Sequence, residues 1–302
     1  MEFLDEIITN IVTYIPIYTL ASLGIVIGGR SGIFNISGEG AMLSAASAGY
    51  LVAVFSGNWY LGFLTAMGMG AIFGFLLAFL HEEMKVNQFI IGIALVIFGT
   101  GLSDFIYKLV VGIKFYIPDS PPAPEIHLVP DVPILSGFLN QNVVVYFTYA
   151  SVILAYYFMY KTRLGMELRA VGEDPRAADV VGINVKMVRY MATIVGSAFI
   201  GAAGGYLPLV ITGTYTPGIS SGRGFIAVGI AIFASWRPER TFLGAILFAA
   251  IEAIALQLQV GNIGVPYQFL LMLPFISLLV VMALFKGKIE FPASIGKPYS
   301  RE

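Results

Sequence analysis

Residues 60–80 read YLGFLTAMGMGAIFGFLLAFL and contain no charged side chain. An α-helix rises about 1.5 Å per residue, so about 20 apolar residues cross the hydrocarbon core of a bilayer, which is roughly 30 Å thick. The stretch therefore predicts a membrane-spanning helix.

The composition of the whole chain agrees with that prediction. Hydrophobic residues make up 58% of the 302 residues and charged residues 12%, whereas a soluble domain has about 25% charged residues. The mean hydropathy is +0.84. A net charge of −1 gives no indication of nucleic-acid binding, and the lack of cysteine excludes disulfides, thiol catalysis and Cys-ligated metals.

Apolar stretches of suitable length recur along the chain, and they predict an all-α, polytopic integral membrane protein. We predict nine transmembrane helices, within a range of eight to ten. Segment 223–236 is short and could be re-entrant, and 38–56 begins in a glycine-rich stretch and could be only partly helical. The N-terminus is acidic and does not resemble a cleavable signal peptide. The stretches are 9–29, 38–56, 60–80, 88–111, 142–160, 190–211, 223–236, 241–260 and 266–285.

The distribution of basic residues predicts the orientation in the cell membrane. With nine spans, 14 of the 17 Lys and Arg residues fall on one side, and the positive-inside rule makes that side cytoplasmic. We therefore expect the N-terminus outside and the C-terminus in the cytoplasm. The proline-rich residues 112–141 form the long outer connection, and residues 161–189 form the long cytoplasmic one.

The connection 161–189 contains the signals of a short helix. Asp174 suits an N-cap, Pro175 suits the first helical position, and Gly182 suits the end of the helix. The alternative is a basic loop that merely obeys the positive-inside rule, but that rule does not explain the cap.

Two similar motifs indicate an internal repeat. Ser37–Gly40 reads SGEG and Ser221–Gly224 reads SGRG, and the predicted topology places them on opposite sides of the membrane. We therefore expect inverted halves at about 9–111 and 190–285, since glycine-interrupted segments at matching positions of inverted repeats indicate a translocation site. The alternative is coincidence, because the chain contains 34 glycines.

Polar residues inside or beside the predicted spans are candidates for the solute pathway, because ionisable groups are costly to bury in a membrane. Asn35, Glu39 and Arg223 could form gates, although Glu39 could merely favour the dipole of its own helix. Glu252 and Gln259 are seven residues apart on one helix face, where they could line a pathway or join neighbouring helices. Asp104 and Lys108 lie four residues apart on one helix face, so their opposite charges could simply neutralise each other.

Three blocks of sequence resemble permease subunits of ABC importers of the branched-chain amino-acid and simple-sugar class, and most of all the nucleoside-importer permeases. The resemblance runs in order along nearly the whole chain. The blocks are RSGIFNISGEGAML at 30–43, RAVGEDPRAA at 169–178 followed by Gly182, and TPGISSGRGFIA at 216–227 followed by WRP at 236–238.

The resemblance implies a single permease domain, 1–302, that works by alternating access. It implies a second permease subunit, an extracytoplasmic substrate-binding lipoprotein, a nucleoside or else a ribose-type sugar as solute, and separate ATPase subunits that bind ATP and Mg. No nucleotide-binding G-x-x-x-x-G-K-[ST] motif occurs in this sequence, which agrees with ATP binding by a separate subunit. The residues implied to contact the ATPase are Gly172, Asp174, Pro175, Ala177, Ala178 and Gly182.

Two other classes of function compete with an importer subunit. An ion-coupled secondary transporter would use Glu39, Asp104 or Glu252 as its coupling group, but a capped cytoplasmic helix suits the docking of a partner better. An intramembrane enzyme would need a constellation such as paired Asp or His residues within spans, and the sequence has none. We expect no catalytic residue and no cofactor bound to this chain. We also expect no metal site, because the two histidines, His81 and His127, lie in loops on opposite sides of the membrane.

Overall fold

A computed structural model describes residues 2–112, 119–127, 135–260, 266–284 and 289–299. Two two-residue strands, β1 (Glu125–Ile126) and β2 (Gln141–Asn142), pair antiparallel in the connection after α4. Parts of the predicted outer loop 112–141 lie outside the described residues. The helices are α1 Glu2–Arg30, α2 Gly38–Ser56, α3 Trp59–Glu82, α4 Gln88–Val111, α5 Leu135–Leu139, α6 Val143–Lys161, α7 Arg163–Glu173, α8 Pro175–Val180, α9 Val185–Tyr206 with a π-helical turn Leu207–Ile211, α10 Arg223–Phe233, α11 Pro238–Val260 and α12 Tyr267–Leu284.

Seven of these helices are long and apolar enough to cross a membrane. They are α1, α2, α3, α4, α6, α9 with its π-helical turn, and α11, so the prediction of an all-α polytopic protein is confirmed. Shorter apolar helices occupy the other two predicted spans, and the total of nine remains a prediction. The segment 38–56 is helical throughout, which makes the expectation of a partly helical segment wrong; the irregular chain is residues 31–37, just before it.

The centre of the bundle is formed by α1 and α2. In each of them 83% of the apolar window is buried, against 28% in α4, which lies at the periphery. Glycine allows α1 and α9 to approach closely, since a Cβ atom built on Gly24 would lie 2.1 Å from the Gly196 carbonyl oxygen. Small residues at helix crossings are how membrane helices commonly bring their backbones together.

The connection 161–189 contains two helices, α7 and α8, of which only α8 was predicted from the sequence. Thr162 caps α7, since its side chain accepts a hydrogen bond from the Gly165 amide at 3.1 Å. The described residues near the C-terminus, 289–299, pack against this pair of helices. Tyr299 of that segment joins a small apolar cluster with Val171 of α7 and Ala178 of α8.

Candidate functional site

The N-termini of α2 and α10 meet at the carboxylate of Glu39. Its Oε1 accepts hydrogen bonds from the Ser220 hydroxyl and, at 2.8 Å, from the Gly222 amide. Its Oε2 accepts one from the Gly224 amide, also at 2.8 Å. Gly222 is the N-cap residue of α10 and has no side chain that could accept a hydrogen bond from the first turn. Glu39 therefore supplies, from α2, the acceptors that the first turn of α10 requires, and its charge suits both helix N-termini.

The SGEG and SGRG motifs are in contact, so the prediction that they lie on opposite sides of the membrane is wrong. A Cβ atom built on Gly224 would lie 2.5 Å from the Glu39 amide nitrogen, which leaves room only for glycine. The reason is that the chain returns into the bundle before α2 begins. After α1, residues 31–37 run back until the Cβ position of Gly38 is 3.8 Å from the Ile25 side chain.

Arg223 begins α10 and forms an ion pair with Glu252 of α11. Its Nε donates to Oε1 of Glu252 at 2.9 Å, and a terminal guanidinium nitrogen donates to the same oxygen. The Tyr18 hydroxyl of α1 donates to the other carboxylate oxygen. Only 18% of the Arg223 side chain and 9% of the Glu252 side chain are exposed. The pair therefore joins three helices while each charge compensates the other.

Asn35 organises the extended segment that leads into α2. Its Nδ2 donates to the Ser197 hydroxyl of α9 at 2.8 Å, and its Oδ1 accepts from the amide and the hydroxyl of Ser37. The side chain is buried and both of its polar atoms are used, so Asn35 fixes the path of the segment against α9.

The structure does not bring Gln259 to the other predicted pathway residues. Gln259 is exposed near the end of α11, seven residues beyond the buried Glu252. Asp104 and Lys108 were expected to neutralise each other's charge; Asp104 is half-buried, and Lys108 is exposed in the last turn of α4.

Three buried tyrosines that the sequence could not single out form a cluster. Tyr107 of α4 and Tyr215 have ring centroids 4.8 Å apart, and Tyr50 of α2 lies 6.3 Å from each of them. Tyr215 belongs to the connection 212–222, which also carries Ser220 and Gly222. The cluster therefore anchors against α2 and α4 the loop that reaches Glu39.

The cap predicted in the connection 161–189 is confirmed. Oδ1 of Asp174 accepts hydrogen bonds from the amides of Arg176 and Ala177 at 3.0 and 3.1 Å, and Pro175 occupies the first turn of α8. Gly182 follows the helix with φ of +89°, in the left-handed region that favours glycine.

The two faces of α8 differ in their surroundings. Ala178 is only 3% exposed and packs against Val171, Val185 and Tyr299. Val180 and Val181, at the end of the helix, are 87% and 74% exposed. The expectation that the Ala178 side chain forms part of an open docking face is therefore wrong: the helix turns Ala178 inward, and Ala177 with the two valines forms the open face.

Gly172 serves the contact between α7 and the end of α1. A Cβ atom built on Gly172 would lie 2.0 Å from the Arg30 carbonyl oxygen. Its backbone carbonyl accepts from the amide of Ser294 at 3.0 Å. Gly172 is thus buried beneath α8, where it holds the connection to the bundle.

A buried ion pair between α9 and α3 could not be predicted from the sequence. Arg189 of α9 donates to Glu82 of α3 at 2.6 Å, and both side chains are fully buried. Arg189 also donates to the Ser31 carbonyl at 3.1 Å. Because 107 residues separate Arg189 from Glu82, no local pattern links them, and Arg189 had been placed at the end of the predicted cytoplasmic connection 161–189.

Comparison with known protein families gives a match along the bundle just described. Residues 7–284 match the family described as branched-chain amino acid transport system / permease component. The chain belongs to this permease family. The resemblance inferred from the three sequence blocks is thereby confirmed, and the protein is a multi-pass membrane protein whose relatives are transport subunits rather than enzymes.

The names given to relatives of this permease mention two kinds of solute, sugars and nucleosides. TsgC13 of Haloferax volcanii, a glucose ABC transporter permease by its given name, is 36% identical over 86% of this chain and 79% of its own. The guanosine ABC transporter permease NupQ of Bacillus subtilis is 29% identical over 99% and 98%. The nucleoside ABC transporter permease NupC of Lactococcus lactis is 28% identical over 98% and 97%.

Among solved structures, an inward-facing metal-chelate type ABC transporter shares the fold. The TM-score is 0.51 at 16% sequence identity, and the match covers 93% of this chain and 85% of the other.

Proposed function

We propose that this permease forms the solute pathway of an ATP-driven nucleoside importer and is driven by separate ATPase subunits. The single observation that carries the proposal is the two-faced construction of α8. Its inner face is packed by the chain itself, while Val180 and Val181 present an apolar surface at a capped helix end. Exposed apolar side chains that adjoin one another commonly mark interaction sites, and a permease without a nucleotide-binding loop requires one for its ATPase.

The proposed assembly follows from this surface. Residues 172–182 dock onto an ATPase that binds ATP and Mg, and a second permease, a second ATPase and an extracytoplasmic lipoprotein complete the complex. ATP-driven closure of the ATPases moves α8, and the permease alternates between outward and inward access. Asp174, Pro175 and Gly182 set the ends of α8, and Ala177 lies on its open face.

The proposed topology has nine spans, the N-terminus outside, the C-terminus in the cytoplasm, and inverted halves at 9–111 and 190–285. The meeting of α2 and α10 supports it, because broken helices at matching positions of inverted repeats converge at the pathway of many transporters. At 11 residues, α10 is about 16 Å long, so it would complete the crossing only together with the connection 212–222 that leads into it. If the halves superpose poorly, or about an axis along the membrane normal, the repeat is refuted.

Within this pathway the predicted residues take different proposed roles. Glu39, Arg223 and Glu252 hold the broken helix α10 in place and act as a gate through that contact. Asn35 sets the segment that leads into α2, and Gln259 lies at the end of α11, apart from the gate.

The solute class is proposed as nucleosides, with glucose or a ribose-type sugar as the competing assignment. The nucleoside assignment is supported by the two nucleoside-type relatives, which match this chain over at least 97% of both partners. The sugar assignment is supported by the higher identity of the glucose-type relative, 36%, over a shorter part of the chain.

A transport assay distinguishes these assignments. The permease is reconstituted in proteoliposomes with the proposed partner ATPase and lipoprotein, and uptake of labelled guanosine, adenosine, ribose and glucose is measured with and without ATP. We expect ATP-dependent uptake of a nucleoside that unlabelled nucleosides suppress and glucose does not. Uptake of a sugar alone would transfer the assignment to sugars, and uptake driven by an ion gradient without ATP would refute the importer.

A further inference from the structure

The segment 291–299 lies across the cytoplasmic connection and contacts the elements around it. Ser294 donates its backbone amide to the Gly172 carbonyl of α7 at 3.0 Å, and Gly296 donates to the Gly32 carbonyl at 3.2 Å. The Tyr299 hydroxyl donates to Oδ2 of Asp179 in α8 at 2.9 Å. One short stretch of chain thus joins α7, α8 and the turn that follows α1.

Glycine makes the closest of these approaches possible. Gly32 has φ of +98°, and a Cβ atom there would lie 2.6 Å from the Ser294 hydroxyl and 2.9 Å from an Arg189 guanidinium nitrogen. The segment 291–299 and the Arg189 side chain can therefore approach the backbones at Gly32 and Gly172 closely, because neither glycine carries a side chain. Displacement of one necessarily disturbs the others, because close-packed groups transmit movement rather than absorb it.

Arg189 connects this meeting point to the transmembrane helices. Its guanidinium donates to the Ser294 hydroxyl at 3.3 Å and to the Lys297 carbonyl at 3.1 Å. The same group holds Glu82 at the end of α3 and the Ser31 carbonyl at the start of the extended segment that leads to α2. The contacts of one buried cation therefore run from the segment 291–299 to the end of α3 and to the segment 31–37, which leads into the helix junction at Glu39.

The length of α8 explains why it needs this support. A helix of six residues is far below the roughly 12–15 residues at which an isolated helix becomes stable in water. Its inner face rests on Ala178, which Tyr299 covers together with Val171 and Val185. Without the tail, the inner face of α8 loses the Tyr299 ring and the hydrogen bond at Asp179.

We propose that residues 291–299 form an intramolecular strap that positions α8 for the ATPase and transmits its displacement, through Arg189, to α3 and to the segment 31–37. Tyr299 and Arg189 are positioning residues in this proposal, since they act through α8 and contact no solute. The transmission rests on the proposed importer function, whereas the positioning of α8 can be tested on the permease alone.

The positioning is tested with spin labels, for which the cysteine-free chain is suited. Cysteines replace the exposed Val180 of α8 and the exposed Phe79 of α3, and the distance between the labels is measured in nanodiscs. Ending the chain after Glu290 removes the strap, and ending it after Tyr299 is the matched control that keeps the strap. We expect one narrow distribution for the full chain and the control and a broad one without the strap; equal distributions in all three would overturn the proposal.

The transmission is tested in the reconstituted complex by the amount of solute moved per ATP hydrolysed. Tyr299→Phe removes one hydrogen bond and should lower this ratio about two- to tenfold, as expected for a loss of roughly 0.5–1.5 kcal/mol in docking of α8. Ending the chain after Glu290 should lower it further while ATP hydrolysis continues. An unchanged ratio in the shortened chain overturns the transmission. A full-length complex without any ATP-dependent transport instead refutes the importer, and the label distances still report on the strap.

Discussion

The amide nitrogen of Gly224 donates a hydrogen bond of 2.8 Å to the Glu39 carboxylate across 185 residues of sequence. This contact joins the first turns of two helices that both begin inside the bundle. It joins two similar motifs into one structural unit, in which the Glu39 carboxylate accepts from Ser220, Gly222 and Gly224.

Replacing Glu39 should weaken this junction in a graded way. Glu39→Gln keeps one carbonyl oxygen but turns an NH2 group towards an amide donor, and it should destabilise the permease by about 1–3 kcal/mol, the cost of an unsatisfied buried group. Ser220→Ala removes one donor and should cost about 0.5–1.5 kcal/mol. Thermal unfolding in detergent measures both, and a Glu39→Gln variant as stable as the parent would contradict the proposed cap.

The ion pair between Arg223 and Glu252 should behave as a coupled unit. Arg223→Met or Glu252→Gln alone leaves a poorly solvated partner and should cost somewhat less than the roughly 3–5 kcal/mol of a fully buried pair. The double variant should cost less than the sum of the two, because neither charge is then left alone. A double-mutant cycle on unfolding free energies gives the coupling; additive losses would show that the pair contributes nothing to the junction.

The open face of α8 should be needed for assembly but not for folding. Val181→Asp places a charge on the proposed apolar interface and should weaken ATPase binding by about 2 kcal/mol, the scale of an interface hot spot. It should leave the unfolding temperature of the isolated permease unchanged, because Val181 is 74% exposed.

Ala178→Trp is the matched comparison for that face. Ala178 is buried within the chain, so the larger side chain should destabilise the permease itself by about 1–3 kcal/mol through overpacking. Co-purification of the ATPase and unfolding of the permease alone separate the two effects. If Val181→Asp co-purifies normally with the ATPase, α8 is not the docking element.

The orientation can be tested by labelling single cysteines in intact cells. Pro122→Cys and Ala177→Cys lie at exposed positions of the two long connections. A membrane-impermeant maleimide should label position 122 and leave position 177 unlabelled until the cells are permeabilised. Labelling at 177 alone would reverse the assigned topology.

Local patterns in the sequence predicted the elements whose causes are local. The apolar stretch 60–80 predicted a spanning helix, and α3 covers it. Asp174, Pro175 and Gly182 predicted the bounds of α8, because a cap acts on amides two and three residues away. Glu252 was assigned either to a pathway or to a contact between helices, and the structure shows the contact, with Arg223 and Tyr18.

The surroundings of single residues were harder to predict. Ala178 was expected on an open face and is buried, because the segment 291–299 folds back over α8 and covers the side that the local sequence leaves bare. Arg189 was placed in the predicted cytoplasmic connection 161–189 and is completely buried. In both cases the partner comes from a distant part of the chain, where periodicity and spacing carry no information.

The sequence by itself determined that this protein is a bundle of membrane helices, because an apolar stretch of about 20 residues satisfies its backbone polar groups in lipid only as a helix. It also determined that the connection 161–189 contains a short, capped helix. Only the tertiary structure decided that α2 and α10 begin at one carboxylate and that Arg189 lies beneath α8. Those contacts depend on how deeply each segment returns into the bundle, and that depth is set by glycine-mediated packing between helices that are far apart in sequence.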